Sequence, residues 1–174
     1  MNCIVNVAEN WGIGLKDQLL VSISADLKRF RQLTTGKVVI LGRKTLSTFP
    51  GGRPLKNRTN LVLSTNPSFA VEGATVAHSL EELLALCRQY PTEDLCVIGG
   101  ESIYRLLLPY CRTAQITKTL LSPPADRFFP NLDTLPGWSA EQSSPLQEEN
   151  GVQFQYVDYV NLNPLPLEQM PNLP

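Results

Sequence analysis

Leu95-Cys96-Val97-Ile98-Gly99-Gly100-Glu101-Ser102-Ile103-Tyr104 runs from a short apolar stretch through two glycines into residues with helical spacing that Pro109 ends. A strand that is apolar throughout has both faces covered. A tight glycine turn into a helix is how such a strand begins the crossover that a parallel neighbour requires. Lys37-Leu41, followed by Gly42 and the helical stretch Arg43-Thr48, repeats the pattern upstream. Further runs at Cys3-Val7, Asn60-Ser64 and Ala74-Ala77 read as strands, and Ser24-Thr34, Ser79-Tyr90 and Glu101-Leu108 as helices. Ser79 and Glu82 have capping-box spacing ahead of Leu83, Leu84, Leu86 and Cys87. Strands alternating with helices predict an α/β fold with a mainly parallel sheet covered on both faces.

The last third of the chain behaves differently. Gln115-Leu121 and Val152-Val160 read as strands, yet only a Pro-rich loop and the weakly periodic Leu132-Gln147 separate them, which predicts an antiparallel strand or hairpin at one sheet edge. After Asn161 four prolines and no periodicity predict an extended tail over residues 162–174, beyond a domain of residues 1–161.

Composition narrows the functional classes. The 174 residues suit one domain with a conventional core, being 43% hydrophobic and 18% charged. Fifteen Lys and Arg against 16 Asp and Glu leave a net charge of -1, so no global field favours nucleic acid or an anionic membrane. Four scattered cysteines without a C-x-x-C pair, and His78 as the single histidine, argue against a structural zinc site. With no bilayer-length apolar run, and a start that lacks a basic n-region and cleavage motif, the expectation is a cytoplasmic protein with reduced thiols.

Several residues are candidates for chemistry. The turn at Gly99-Gly100 points free backbone N–H groups beyond the strand end, where phosphate binds readily, although such turns also need glycine for steric reasons alone. Gly42, Arg43, Lys44 and Thr45 add two cations and a hydroxyl to a second such junction. If the strands are neighbours, Ser64, Thr65 and His78 gather at the same edge, and the group suits a 2′-phosphate better than a bare ribose; solvated surface charge is the plainer reading. Asp26 lies in the first turn of Ser24-Thr34 on a face shared with Phe30, with Leu27 nearby. It is either a dipole-favoured first-turn acid or a partly buried carboxylate that takes two hydrogen bonds from an amidine-like heterocycle edge. Arg53, Lys56 and Arg58 are presented by turn residues before a strand; surface charge is the default reading, and an arginine there offers a bidentate grip on a carboxylate. Gly12-Gln18 is a glycine-containing loop, either a mobile lid or a plain connection.

Taken together, N-C-I-V-N-V-A-E-N-W-G-I-G (2–14), A-D-L-K-R-F (25–30), V-I-L-G-R-K-T (39–45), R-P-L-K-N-R-T-N-L-V-L-S (53–64), V-I-G-G-E-S-I-Y (97–104) and D-R-F-F-P (126–130) resemble the dihydrofolate reductase family, in order and nearly in spacing. The resemblance implies a three-layer fold with a mixed, mainly parallel eight-stranded sheet, flanking helices and an antiparallel C-terminal edge. It also implies NADPH as cofactor and dihydrofolate as the small-molecule substrate of a monomeric enzyme. Asp26 would hold the pteridine 2-amino group and N3, with Thr117 orienting it. Ile4, Val5, Leu27, Phe30, Phe49, Leu55, Ile98 and Tyr104 would bind substrate, and Arg58 would grip the α-carboxylate of its glutamate tail.

For NADPH the resemblance implies Gly42, Arg43, Lys44, Thr45, Leu63, Ser64, Thr65 and His78 at the adenosine half and Gly99, Gly100, Glu101, Ser102 and Ile103 at the pyrophosphate. Asn6, Ile13 and Gly14 would lie by the nicotinamide. The chain departs from the family pattern at Leu20-Val21, where Pro-Trp is usual, at Asn6, where alanine is common, and at a slightly longer Pro50-Gly51-Gly52 loop. The nearest rival is a reductase of the same superfamily acting on a pyrimidine intermediate of riboflavin synthesis, which would not require the Asp26 and Arg58 pair.

Overall fold

Val38–Gly42 and Leu95–Gly99 are buried along their whole length, the pattern of strands covered on both faces. The computed structural model describes residues 1–170. In chain order its elements are β1 (Asn2–Val7), β2 (Gly12–Leu15), β3 (Gln18–Leu19), α1 (Ser24–Thr34), β4 (Val38–Gly42), α2 (Arg43–Ser47), β5 (Thr59–Leu63) and β6 (Thr75–Ala77). There follow α3 (Leu80–Cys87), β7 (Leu95–Gly99), α4 (Glu101–Leu107), β8 (Thr113–Thr119), β9 (Arg127–Phe128), β10 (Trp138–Ser143), β11 (Gln147–Glu149) and β12 (Val152–Asn161).

The main sheet has the order β10-β12-β8-β1-β7-β4-β5-β6, with β11 also pairing β12. From β8 to β6 every neighbour is parallel, whereas β12 and β10 join antiparallel. This is the expected mixed, mainly parallel sheet with an antiparallel C-terminal edge. Alternating side chains divide the core between two faces. Val38 and Ile40 join Val5, Val97 and Leu83 on one side; Val39 and Leu41 join Ile4, Val62 and Ile98 on the other, where Phe30, Leu33, Phe49 and Leu55 pack. The cleft belongs to this second face.

Two local features escaped the sequence reading. The expected lid is partly ordered as a three-stranded antiparallel sheet, β3-β2-β9. Its β2–β3 hairpin turns at Lys16 and Asp17, both at positive φ, in the mirror-image geometry that hairpins favour but without the usual glycine. The β11–β12 hairpin turns at Asn150 and Gly151, also at positive φ, and here the sequence does carry the strong Asn-Gly signal.

The start of α3 follows its cap. Ser79 Oγ accepts the Glu82 N–H at 3.1 Å, and Glu82 reaches back to the N–H of His78 at 2.7 Å, one residue beyond the usual capping box. Residues just past β12 lie against the domain. Leu167 is buried and its carbonyl accepts from Arg88 at 3.0 Å, while Tyr110 donates to the Gln169 carbonyl at 2.7 Å. The expected tail is thus docked over its described part, and residues 171–174 lie outside the described residues.

Candidate active site

The acid lies where α1 faces β1 and β8. α1 begins after Ile23, whose side chain provides no cap bond. The amides of Ser24 and Ala25 donate instead to Glu149, at 2.7 and 3.2 Å, so a carboxylate from β11 caps the helix. One turn of helix carries Asp26 over the sheet. Thr117 Oγ1 donates to Asp26 Oδ1 at 2.5 Å, and Asn6 Nδ2 donates to Asp26 Oδ2 at 3.1 Å. Both oxygens are therefore held, while the residue stays only half-buried.

The wall beside it is apolar. Ile4, Ile98, Phe30, Phe49 and Leu55 belong to one packed group, as the resemblance implies. Val5 does not join them, because strand alternation sends its side chain into the opposite core. Leu27 is 51% exposed on α1, open to a ligand rather than packed into the wall. Tyr104 supports the cleft from behind: its hydroxyl donates to the Ile4 carbonyl at 2.7 Å, and its ring meets Phe129 edge-on at 4.9 Å. Burial pushes this hydroxyl well above the usual phenol range, so it remains a donor to the backbone.

Arg58 stands at the far end of α1. Its Nε donates to the Lys56 carbonyl at 2.9 Å and Nη1 to Thr34 Oγ1 at 3.1 Å, which fixes the guanidinium plane. Burial and the neighbouring Arg31 cation lower its proton affinity, and an anion bound there would offset both. An acid at the start of the helix and a rigid cation at its end suit a ligand with a donor edge at one end and a carboxylate at the other.

The second group follows from strand order. β7, β4, β5 and β6 are consecutive neighbours, so their C-terminal ends form a row carrying Gly99-Gly100, Gly42-Arg43, Ser64 and His78. The first two junctions interlock: a Cβ on Gly42 would come within 3.0 Å of Ile103, and one on Gly100 within 3.2 Å of Thr45 Oγ1. Glycine is needed here for close packing as much as for any ligand. Neither α2 nor α4 has a side-chain cap, so their first N–H groups are left for an anion.

His78 Nδ1 lies 3.0 Å from the Ser64 carbonyl, which can only accept, so Nδ1 carries the proton and Nε2 is free to face outward. Arg43 leans over the Phe69 ring at 5.7 Å. Thr65 is exposed and Leu63 half-buried beside them. Glu101 pairs with Arg105 at 3.4 Å and lies 4.0 Å from Arg127, so its side chain is engaged on the surface while its amide stays in the helix start. These features fit a phosphate-rich dinucleotide.

Near the expected lid, Ile13 packs against the core. Gly14 accepts from the Asp126 N–H at 2.9 Å, and Asp126 Oδ2 in turn accepts the Lys16 N–H at 3.1 Å. Asn6, expected beside the cofactor, directs its amide to Asp26. Asn6 as a partner of the acid, Thr119 behind it, Glu149 and Asp126 were all missed, because each acts through a partner at least 20 residues away.

A carboxylate beside an apolar wall, with a row of strand ends whose turns and cations fit phosphate, has the features of a dinucleotide-dependent α/β reductase. The family model described as dihydrofolate reductase matches residues 1–161. The dihydrofolate reductase of Neisseria meningitidis serogroup B is 35% identical over 157 residues, covering 90% of this chain and 95% of that protein; that of Bacillus subtilis is 34% identical over 154 residues, covering 87% and 88%. The dihydrofolate reductase from Enterococcus faecalis, solved in complex with NADP(H) and RAB-propyl, superposes with a TM-score of 0.81 at 33% identity, covering 91% of this chain and 94% of its own. The chain belongs to the dihydrofolate reductase family.

Proposed function

We infer that this chain reduces 7,8-dihydrofolate to tetrahydrofolate with NADPH. The observation that carries the reading is Asp26: an acid held on both oxygens, half-exposed and bordered by Ile4, Phe30, Phe49, Leu55 and Ile98. Few polar anchors in an apolar wall are what a planar heterocycle site needs. Asp26 binds the 2-amino group and N3 of the pterin, Thr117 orients it, and Arg58 binds the α-carboxylate of the glutamate tail. Arg43, Lys44, Thr45, Ser64, Thr65 and His78 serve the 2′-phosphorylated adenosine half, and the amides of Gly100–Ile103 the pyrophosphate. When bound, NADPH supplies the hydride that C6 of the pteridine receives.

N5 must also gain a proton. Tyr104 is unsuited to deliver it, since its hydroxyl is committed to the Ile4 carbonyl. Asp26 contributes the field of a carboxylate, which favours the protonated substrate, and water admitted at the half-open cleft delivers the proton. To the segment Gly12–Val21, tied to Asp126 through Gly14 and Lys16, we assign closure over the site against bulk water.

We assign catalysis to residues 1–161 acting as a cytoplasmic monomer on small molecules, with residues 162–174 as a Pro-rich extension; no helix among the described residues is long and apolar enough to cross a membrane. Following NADPH oxidation at 340 nm with dihydrofolate tests the function, and absence of turnover at high enzyme concentration refutes it. Asp26→Asn should lose most turnover near neutral pH while NADPH binding persists; near-parental turnover would remove Asp26 from its role.

A further inference from the structure

Asn6 is a polar residue in a central strand, and every polar atom of its side chain has a partner. β1 and β8 pair in parallel with Asn6 opposite Thr117, and Thr119 lies two residues on, on the same face as Thr117. Thr117 and Thr119 are buried, at 3% and 0% exposure. Three bonds form one chain. Thr119 Oγ1 donates to Asn6 Oδ1 at 2.7 Å, Asn6 Nδ2 donates to Asp26 Oδ2 at 3.1 Å, and Thr117 Oγ1 donates to Asp26 Oδ1 at 2.5 Å. Its direction is forced by chemistry: an ionised carboxylate only accepts, so Asn6 must turn its NH2 to Asp26 and its oxygen to Thr119, whose hydroxyl must then donate.

We propose that Asn6 is a positioning and specificity-determining residue for the substrate's donor edge. A carboxylate offers about four lone-pair sites, two on each oxygen. Thr117 occupies one on Oδ1 and Asn6 one on Oδ2, which leaves one on each oxygen. The remaining pair matches two parallel N–H donors of a cyclic amidine and is poorly used by a heterocycle with a single donor. This rests on the assignment of Asp26 to the pterin edge and deepens it: Asp26 supplies the charge, and Asn6 with Thr117 sets the geometry in which it is offered.

Other charged and titratable groups stand around the acid. On α1 itself Arg29 lies 4.0 Å from the Tyr156 ring centroid and 3.8 Å from Asp158. β12 contributes Tyr156, α4 contributes Tyr104 with its hydroxyl on Ile4, and β11 contributes Glu149 at the first amides of the helix. Arg29, the one cation in this set, is already engaged, so the neutral donors Asn6 and Thr117 carry much of the support for the anion.

The test compares full-length Asn6→Ala and Thr119→Val with the parent chain. Five quantities are read: thermal stability, the Kd of NADPH, the Kd of a 2,4-diaminopyrimidine, and the KM and kcat of dihydrofolate reduction. Loss of one charge-assisted hydrogen bond predicts that Asn6→Ala weakens diaminopyrimidine binding and raises the KM for dihydrofolate about tenfold. The loss should fall on KM and leave kcat at saturating dihydrofolate within about threefold, since Asn6 meets the acid and not the reacting atoms. The Kd of NADPH stays within about twofold. Thr119→Val moves the same quantities in the same direction by less, since the amide loses its anchor but not its donor. Should Asn6→Ala fail to fold, Thr119→Val carries the test alone.

A raised NADPH Kd with an unmoved diaminopyrimidine Kd would place Asn6 at the cofactor and overturn the proposal, as would an unchanged diaminopyrimidine Kd and dihydrofolate KM in both variants. If the parent does not turn over dihydrofolate, yet diaminopyrimidine binding still falls in Asn6→Ala, the functional reading fails while the role of Asn6 stands.

Discussion

Replacing Glu149 tests whether the helix that carries the acid depends on a cap supplied from the far end of the chain. α1 has Ile23 at its N-cap with no side-chain bond, and Glu149 Oε2 and Oε1 accept the Ser24 and Ala25 N–H groups at 2.7 and 3.2 Å. Losing an N-cap acceptor costs about 1 kcal/mol, and removing a carboxylate from the positive end of a helix about 0.3–1 kcal/mol more. Glu149→Ala should therefore cost about 1.3–2 kcal/mol, and in a domain of this size lower Tm by about 3–8 °C. Glu149→Gln keeps an acceptor and loses the charge, so its cost is about 0.3–1 kcal/mol and fades with added salt. Urea unfolding at neutral pH in low and high salt measures both, and amide exchange at Ser24 and Ala25 localises the effect. A Glu149→Ala protein within about 0.5 kcal/mol of the parent, the range of an ordinary surface change, with unchanged exchange at those amides, would refute the capping argument.

The other predictions concern the second face of the fold and its core. Replacing Arg43 and Lys44 together by Ala should raise the KM for NADPH far more than that for NADH, and equal effects in parallel steady-state assays would show that neither cation meets the 2′-phosphate. Tyr104→Phe leaves the buried Ile4 carbonyl unpartnered and should cost about 1–3 kcal/mol in chemical denaturation; a neutral result would mean that another donor replaces the hydroxyl. Burial raises the Cys87 thiol from 9.0 to about 11, and Cys3 and Cys96 are raised as well. A folded-state value above the unfolded one stabilises fully below about pH 9 and is lost as the pH rises through about 11, at about 1.4 kcal/mol per unit. Cys87 alone then withdraws up to about 3 kcal/mol over that window, and Cys87→Ala should flatten the fall of stability with pH; an unchanged slope would contradict the assignment.

The elements legible in the sequence are those whose signal is local. β4 and β7 are apolar along their length, α1 runs over its expected Ser24–Thr34, and Ser79 caps α3. β10 escaped because five of its six residues are exposed, which leaves no apolar alternation to read. The β2–β3 hairpin escaped because Lys16-Asp17 is an uncommon pair for a turn that needs positive φ twice. At the site, the glycine junctions, Arg43, Asp26 and Arg58 stood out through residue type and spacing, and the family resemblance added Thr117.

By itself, then, the sequence determined the α/β class, the chain positions of the acid and the cations, and membership of a reductase family, since periodicity and turn chemistry act over a few residues. Tertiary structure alone decided which strand ends stand in a row, which face each cleft residue takes, and how Asp26 is held. Asn6, Thr117 and Thr119 meet the acid only through the parallel register of β1 with β8, and Glu149 caps α1 across 125 residues of chain. Hydrogen bonds of that reach depend on long-range strand pairing, which leaves no mark in the spacing of the residues that make them.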